Sequence, residues 1–327
     1  LIGSGMDDLG FHERWLVVDV LLRGERPDLG DHSVQFCNPQ RPATYVRGTG
    51  NRRRWEITIH ADEDSLLVTQ PARVWELLSP WLKADEAEIE RAAIYTFHSV
   101  IAQQWRSGRL LLAGDSAHQT PPFLGQGMCA GIRDAANLAW KLHYVLRGKA
   151  AASLLDTYQS ERTPHVREFI ELAIRLGGLI NTKAVEAALA GGTPRDDGPL
   201  KLEVRKPTLG PGLSRPHNPL SGKLAPQFRL AGNRPSDDGV GYGFALLCET
   251  EFGAALMREH CVLMASADIP ILDSGNVAGL RAWLGEQGLK AALMRPDRYI
   301  LETARRDEDV PALLSALALT APMPSAA

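Results

Sequence analysis

The sequence predicts an α/β protein in two parts: a larger unit built on an antiparallel sheet and a strand–turn–helix segment, and a smaller α/β unit at the carboxyl end. Three observations carry this. RRWEITIH at 53–60 places Trp55, Ile57 and Ile59 on one face by alternation, as in a strand with one covered face. GRLLLAGDSAHQTPPFLGQGMCAGIRDAANLAWKLHYVLRG at 108–148 reads as strand, polar corner, proline-rich loop and long helix. After a Pro- and Gly-rich stretch from Ala190 to Pro226, short strand and helix patterns alternate.

In chain order, the apolar run over 12–22, interrupted by Asp19, predicts a strand. Ser33–Cys37, Ala43–Val46 and Arg54–Ile59 are predicted strands, separated by turn residues such as Asn38-Pro39 and Gly48-Thr49-Gly50. Residues 71–82 and 84–91 are predicted helices, with Pro71 suited to a helix start. Tyr95–Ala102 is a predicted strand carrying His98, and a lone histidine there is more often a core residue than a catalyst. Leu110–Ala113 predicts a short buried strand, with Gly114 and Asp115 at its carboxyl end, where open α/β sheets place ligands. Gly114 has no Cβ and admits a close neighbour; Asp115 offers a carboxylate to a sugar hydroxyl.

Pro121 and Pro122 stiffen the following turn, and Gly125 and Gly127 free the backbone before a helix. Met128, Ile132, Ala135, Ala139, Leu142 and Leu146 recur at steps of four and three, predicting one buried stripe along 128–147 with Gly148 as the C′ residue. The first amides of that helix are unpaired and carry partial positive charge, suited to an electron-rich ligand edge. The plain alternative is a crossover connection with Asp115 in a polar turn. A helical region over 153–177 follows. Ser153 is its expected N-cap, Val166, Phe169, Ile170, Ala173 and Ile174 form its stripe, and Pro164 is expected to kink or divide it. Glu161 and Arg162 read as ion-pair partners on a helix face, of little energetic weight. Beyond the linker, strands are predicted at 244–248, 261–265 and 299–301 and helices at 252–259, 276–286 and 310–318.

With 327 residues there is room for two domains and a sizeable core, and 44% hydrophobic with 23% charged residues is the composition of a soluble globular protein. A net charge of −3 argues against nucleic-acid binding, which needs a basic surface. Arg52, Arg53 and Arg54 form a tight basic triplet, read as a solvated loop or strand end, with contact to a carboxylate substrate or a phosphate as the lesser alternative. Cys37, Cys129, Cys248 and Cys261 form neither a CxxC nor a zinc-ligand spacing, so no metal site is expected and reduced thiols in the cytoplasm are. No apolar run approaches the roughly 20 residues that span a bilayer, and no membrane association is expected.

GDSAHQTPPFLGQGMCAGIRDAANLAWKL resembles the second FAD-contacting motif of the flavin-dependent aromatic hydroxylases, the family with the p-hydroxybenzoate hydroxylase fold. WLVVDVLL at 15–22, RRRWEI at 52–57, QWRSGR at 104–109 and YQSERTPHVRE at 158–168 extend the resemblance, which is nearest to the 3-(3-hydroxyphenyl)propionate hydroxylase branch. It covers most of the chain, more loosely after residue 185. The resemblance implies FAD as cofactor, NAD(P)H and O2 as co-substrates, and hydroxylation of a small phenolic ring beside an existing hydroxyl. It assigns cofactor contacts to Gly114, Asp115, Pro121, Pro122, Gly125, Gly127, Met128 and Cys129. It sets the amides of 127–129 at the pyrimidine edge of the flavin and the two prolines on its other side. Tyr45, Arg54 and His98 are candidate pocket residues, and no catalytic base is identified.

The implied organisation is a partial hydroxylase domain over 1–185, with a substrate-covering sheet over 12–100 and the second FAD motif with its helices over 101–180. A linker over 186–222 and a thioredoxin-like domain over 223–327 complete it. MRPDRYIL at 294–301 is the best local match to that last domain; without a CxxC it is expected to be redox-inert and to serve packing or homodimerisation. The family's opening GxGxxG strand–turn–helix and its DG motif have no counterpart, since the glycines of GSGMDDLG fall at 3, 5 and 10 with no strand before them. With Leu1 as first residue, the expectation is a piece lacking the amino-terminal nucleotide-binding half. A polyketide-tailoring hydroxylase of the same fold and a non-catalytic scaffold module are the competing readings.

Overall fold

The computed structural model describes residues 2–38, 40–180, 208–267 and 269–318. The predicted turn residue Pro39 and residues 186–207 of the predicted linker lie outside them. The chain opens with β1 (Met6–Leu22), β2 (Val34–Phe36), β3 (Ala43–Arg47) and β4 (Arg52–Thr58), then α1 (Ser65–Val68), α2 (Pro71–Leu78) and β5 (Ala87–Ala102). The short strands β6 (Arg106–Ser107), β7 (Leu110–Leu111) and β8 (His118–Gln119) precede α3 (Gly127–Leu146) and α4 (Thr157–Ile180). Six strands form an antiparallel sheet in the order β2-β3-β4-β1-β5-β8. The alternation in β4 holds: Trp55 and Ile57 are buried, with Leu16, Val18 and Val20 of β1, against Val74 and Leu78 of α2. Each such large apolar side chain contributes roughly 1.5–3 kcal/mol on burial.

Three expectations for this unit are corrected. Residues 84–91 are not a helix: Ala and Glu favour one locally, but from Ala87 onward the chain pairs with β1 along its length, Ala87 against Leu22 and Ile89 against Val20. Leu110–Ala113 is not a buried strand, since only Leu110–Leu111 pair, with β6, and Leu110 is exposed. The stripe of α3 lies on the wrong side: Met128, Ile132 and Leu146 are 76%, 59% and 80% exposed, while Asp134, Asn137, Leu138, Trp140, Lys141 and Tyr144 are buried. Gly148 does follow the helix at φ +67°, the left-handed conformation expected of a C′ glycine.

α4 is one helix through Pro164, not two, and Ser153 lies inside a 3₁₀ turn over Ala152–Asp156, not at a cap. The proline ring sits on the exposed side of the helix, and the proline lacks the amide that the Ser160 carbonyl would otherwise accept. Gly210 packs at that point: its amide donates to the Glu161 carbonyl (2.8 Å), and an added Cβ would collide with the Ser160 oxygen. Val166, Phe169, Ile170 and Ala173 are buried as expected.

The carboxyl-terminal part comprises α5 (Asp237–Val240), β9 (Ala245–Cys248), α6 (Thr250–Glu259), α7 (Cys261–Ala267), β10 (Ile271–Asp273), α8 (Leu280–Gln287), β11 (Ala291–Met294), β12 (Ile300–Ala304) and α9 (Val310–Ala318). Its sheet runs β10-β9-β11-β12, with β10 parallel to β9 and the other pairings antiparallel. The predicted strand 261–265 is the helix α7, which turns Met264 and Ala267 inward; short apolar runs do not separate the two periods. β10 and β11 have no counterpart in the sequence reading. Cys248 is buried, and burial pushes its thiol up to about 12, far from the thiolate that redox chemistry needs.

Candidate functional site

The exposed edge of β5 and the segment from Asp115 to Met128 enclose a cleft of about 460 Å³. Tyr95, Thr96, Phe97 and His98 line one side; Asp115, Gln119, Thr120, Pro121, Pro122, Gly125, Gly127 and Met128 line the other. Asp115 is exposed on a 3₁₀ turn over Gly114–Ser116, not at a strand end. Gly114 adopts φ +59° and lies directly on α3, so close that a Cβ on Gly131 would stand 3.3 Å from its Cα. The turn is pinned from beneath. Asp134 Oδ2 accepts from the Gly114 amide (3.0 Å) and stands 2.6 Å from His118 Nε2, while Oδ1 accepts from Arg162 Nε (2.8 Å). All three side chains are buried. Burial opposes the Asp134 charge, but His118 and Arg162 outweigh it and hold the carboxyl below its usual range.

The start of α3 opens on this cleft. Gln126 provides no side-chain cap, and the first intrahelical bond runs from the Ala130 amide to the Gln126 carbonyl. The amides of Gly127, Met128 and Cys129 therefore have no acceptor within the helix. Cys129 belongs to this first turn but is not among the cleft-lining side chains. Two other sequence candidates stand elsewhere. Tyr45 is buried on the α2 side of the sheet, its ring 5.0 Å from that of Trp55. Arg54 is on the opposite face, in a two-pronged pair with Asp19 (2.7 and 3.1 Å). The basic triplet is a set of paired strand residues: Arg52 bonds Glu90, and Arg53 is buried with its guanidinium on the Gly50 carbonyl.

The inner face of α3 continues into a second buried network that ties it to the carboxyl-terminal part. Glu161 accepts from Asn137 (2.9 Å), Lys141 (2.8 Å), both terminal nitrogens of Arg295 (2.8 and 2.9 Å) and the Leu213 amide (2.9 Å). Asp297 closes the cluster on Arg295 (2.7 and 2.9 Å) and Asn137 (2.9 Å). Two cations face two carboxylates. Burial opposes ionisation of Glu161, yet Arg295 and Lys141 hold it down to about 2, while burial lowers Lys141 to about 8. Glu161 and Arg162 are thus core groups, correcting their reading as weak surface partners. Asp134, Asn137, Arg295 and Asp297 were not singled out from the sequence; the spacing of Asp134, Asn137 and Lys141 on α3 is visible there, but a polar stripe on an amphipathic helix ordinarily faces solvent.

His165 lies beside this region with Nδ1 unpartnered. Burial, reinforced by Arg162 and Arg133, pushes it down to about 3. The unfolded chain takes that proton near pH 6.5 and the native one does not, so stability falls as pH drops from about 6.5 toward 3. At pH 5 the loss is about 2 kcal/mol, in a window above the one in which Glu161 contributes. Thermal melts of wild type and His165→Phe at pH 7 and 5 check this: the variant should show the smaller drop. Equal drops would count against it.

Against known proteins, the family described as FAD binding domain matches residues 14–173. A protein named probable NADH-specific resorcinol 4-hydroxylase, from Rhodococcus jostii (strain RHA1), is 36% identical over 99% of this chain and 64% of its own length. The 3-(3-hydroxy-phenyl)propionate/3-hydroxycinnamic acid hydroxylase of Mycolicibacterium smegmatis (strain ATCC 700084 / mc(2)155) is 39% identical over 79% of this chain and 49% of its own length. The chain thus spans less than two thirds of either relative. Among solved structures, aklavinone-11 hydroxylase in complex with FAD and aklavinone superposes with a TM-score of 0.72 at 22% identity, covering 98% of this chain and 64% of that one, a likeness of fold. With the motif block, the matched domain and these relatives together, the chain belongs to the flavin-dependent aromatic hydroxylase family.

Proposed function

We propose that this chain forms part of an FAD-dependent monooxygenase that hydroxylates a phenolic ring beside an existing hydroxyl, with NAD(P)H and O2 as co-substrates. The observation that carries the reading is the convergence of Asp115, Pro121, Pro122, Gly125, Gly127 and Met128 on one cleft at the uncapped start of α3. These residues fit FAD. Asp115 is an acceptor for its sugar-chain hydroxyls, the free amides of 127–129 suit the electron-rich edge of its ring, and Gly125 and Gly127 keep side chains out of its path. FAD, when bound, takes hydride from NAD(P)H and activates O2. The chain's own residues bind and orient it, supply positive partial charge, and with two prolines add no proton donor near the reacting edge.

The substrate we assign is a small phenolic compound of the 3-(3-hydroxyphenyl)propionate or resorcinol type. Support comes from relatives with such names at 36–39% identity. Residues 223–327 read as a thioredoxin-like domain without redox chemistry, supported by the four-stranded mixed sheet and the buried, unreactive Cys248. We place the protein in the cytoplasm, in keeping with its free cysteines, and take homodimerisation as a role open to that domain. Among the described residues, no helix is long and apolar enough to cross a membrane.

Asp115→Ala tests the reading. A charge-assisted hydrogen bond contributes roughly 1.5–3 kcal/mol, so FAD affinity should fall by about one to two decades. Fluorescence titration of the apoprotein with FAD measures it. Unchanged affinity would remove Asp115 from the site.

A further inference from the structure

We propose that Asp8, His12 and His98 form a proton relay that opens on the cleft and takes the proton of a ligand's phenolic hydroxyl. The nature of the ligand rests on the function proposed above; the relay rests on geometry. His98 of β5 stands opposite His12 of β1 in the sheet register, and their Nδ1 atoms are 2.8 Å apart. His12 Nε2 lies 2.8 and 3.0 Å from the two carboxylate oxygens of Asp8. The register of β1 breaks between Asp8 and His12, and at Gly10, with φ +83°, the amide donates to Asp8 Oδ1 (2.8 Å). The irregular backbone sets Asp8 beside His12, as bulges do when they re-aim a side chain.

A contact between two imidazole nitrogens holds one proton, with one ring donating and the other accepting. Because the Asp8 carboxylate accepts from His12 Nε2–H, neutral His12 presents a lone pair at Nδ1 to the Nδ1–H of His98. His98 Nε2 then carries a lone pair. Among the described residues it has no other hydrogen-bond partner, and His98 lines the cleft. When a phenolic hydroxyl meets this nitrogen, its O–H bond breaks and an N–H bond forms at Nε2. His98 passes its Nδ1 proton to His12 Nδ1, and the resulting imidazolium stays on Asp8. The oxygen keeps its electron pair as phenolate, which enriches the ring for attack by an electrophilic oxygen. The proton ends on an exposed pair at the sheet edge.

Neighbouring charges leave the relay intact. Glu13 is engaged with Trp15 Nε1 (2.8 Å), and Arg14 donates to the His60 and Glu63 carbonyls (2.7 and 3.0 Å). Asp115 lines the same cleft as His98. The Gly10 amide and His12 hold the Asp8 carboxyl below its usual range, so it is ionised when the proton arrives. With Asp8 neutralising the His12 cation, the cluster is a proton acceptor and a poor anion site.

Imidazole-labelled NMR of this chain tests the relay without any cofactor. Wild type should show one proton shared between His12 Nδ1 and His98 Nδ1, seen as a coupling between the two nitrogens, with His12 in the Nε2–H tautomer that Asp8 accepts from. His98→Gln should abolish that coupling, and Asp8→Asn should release His12 from the single tautomer. Rings with no shared proton, or His12 in the Nδ1–H tautomer, would overturn the proposal, whatever cofactor the protein binds. In the FAD-loaded protein, a bound nitrophenol, whose ionised form is yellow, should need about one pH unit more to ionise in His98→Gln. An unchanged ionisation there overturns the relay. Failure of the wild-type protein to take up FAD would instead overturn the proposed function, with the shared proton still standing.

Discussion

Glu161→Gln is expected to cost about 3–5 kcal/mol of stability, the usual consequence of removing one partner from a buried ion cluster. The substitution keeps the volume and removes one negative charge from a site closed to bulk solvent. Lys141 and Arg295 then face Asp297 alone, and Lys141 loses the carboxylate that sustains its charge. Because Arg295 and Asp297 belong to the carboxyl-terminal part and Lys141 to α3, the damage falls on the contact between them. Urea unfolding gives the magnitude, and a double variant gives the cause. Adding Lys141→Met to Glu161→Gln restores charge balance and should recover part of the loss, although either change alone destabilises. A Glu161→Gln variant within 1 kcal/mol of wild type would show that the cluster contributes no net stability.

Gly127→Val should weaken FAD binding at least about a hundredfold, about 2.7 kcal/mol. A Cβ at 127 already stands 3.3 Å from the Thr120 methyl, and the two further methyls of valine must enter the cleft or push that turn aside. Either outcome covers the amides of 127–129. Cys129→Ala is the companion variant and should be mild, since its amide and not its thiol faces the task. FAD titration with a melt of each variant separates lost binding from lost folding. If Gly127→Val binds FAD normally while Cys129→Ala does not, the assignment of the helix start is wrong.

How far the sequence could be read depended on which elements settle their own conformation. The alternation of β4 and the run of β1 were legible because a strand with one covered face writes its pairing face into every second residue. The cleft residues of 115–128 were legible because prolines and glycines constrain the backbone locally. Residues 84–91 were not legible as strand, because Ala and Glu fit a helix and only the length of β1 alongside draws them into the sheet. Tyr45 and Arg54 were separable from the cleft only once the sheet faces were known.

The sequence by itself determined the family, the helices α2, α3 and α4 and the strands β1 to β4. The tertiary structure decided which face of α3 is buried. Its apolar stripe stays exposed at Met128, Ile132 and Leu146, and the opposite face, with Asp134, Asn137 and Lys141, goes inside. A charged side chain is buried only where partners neutralise and hydrogen-bond it. Those partners, Arg162, Glu161 and Asp297, lie 20 to 160 residues away along the chain, so no local pattern could announce them.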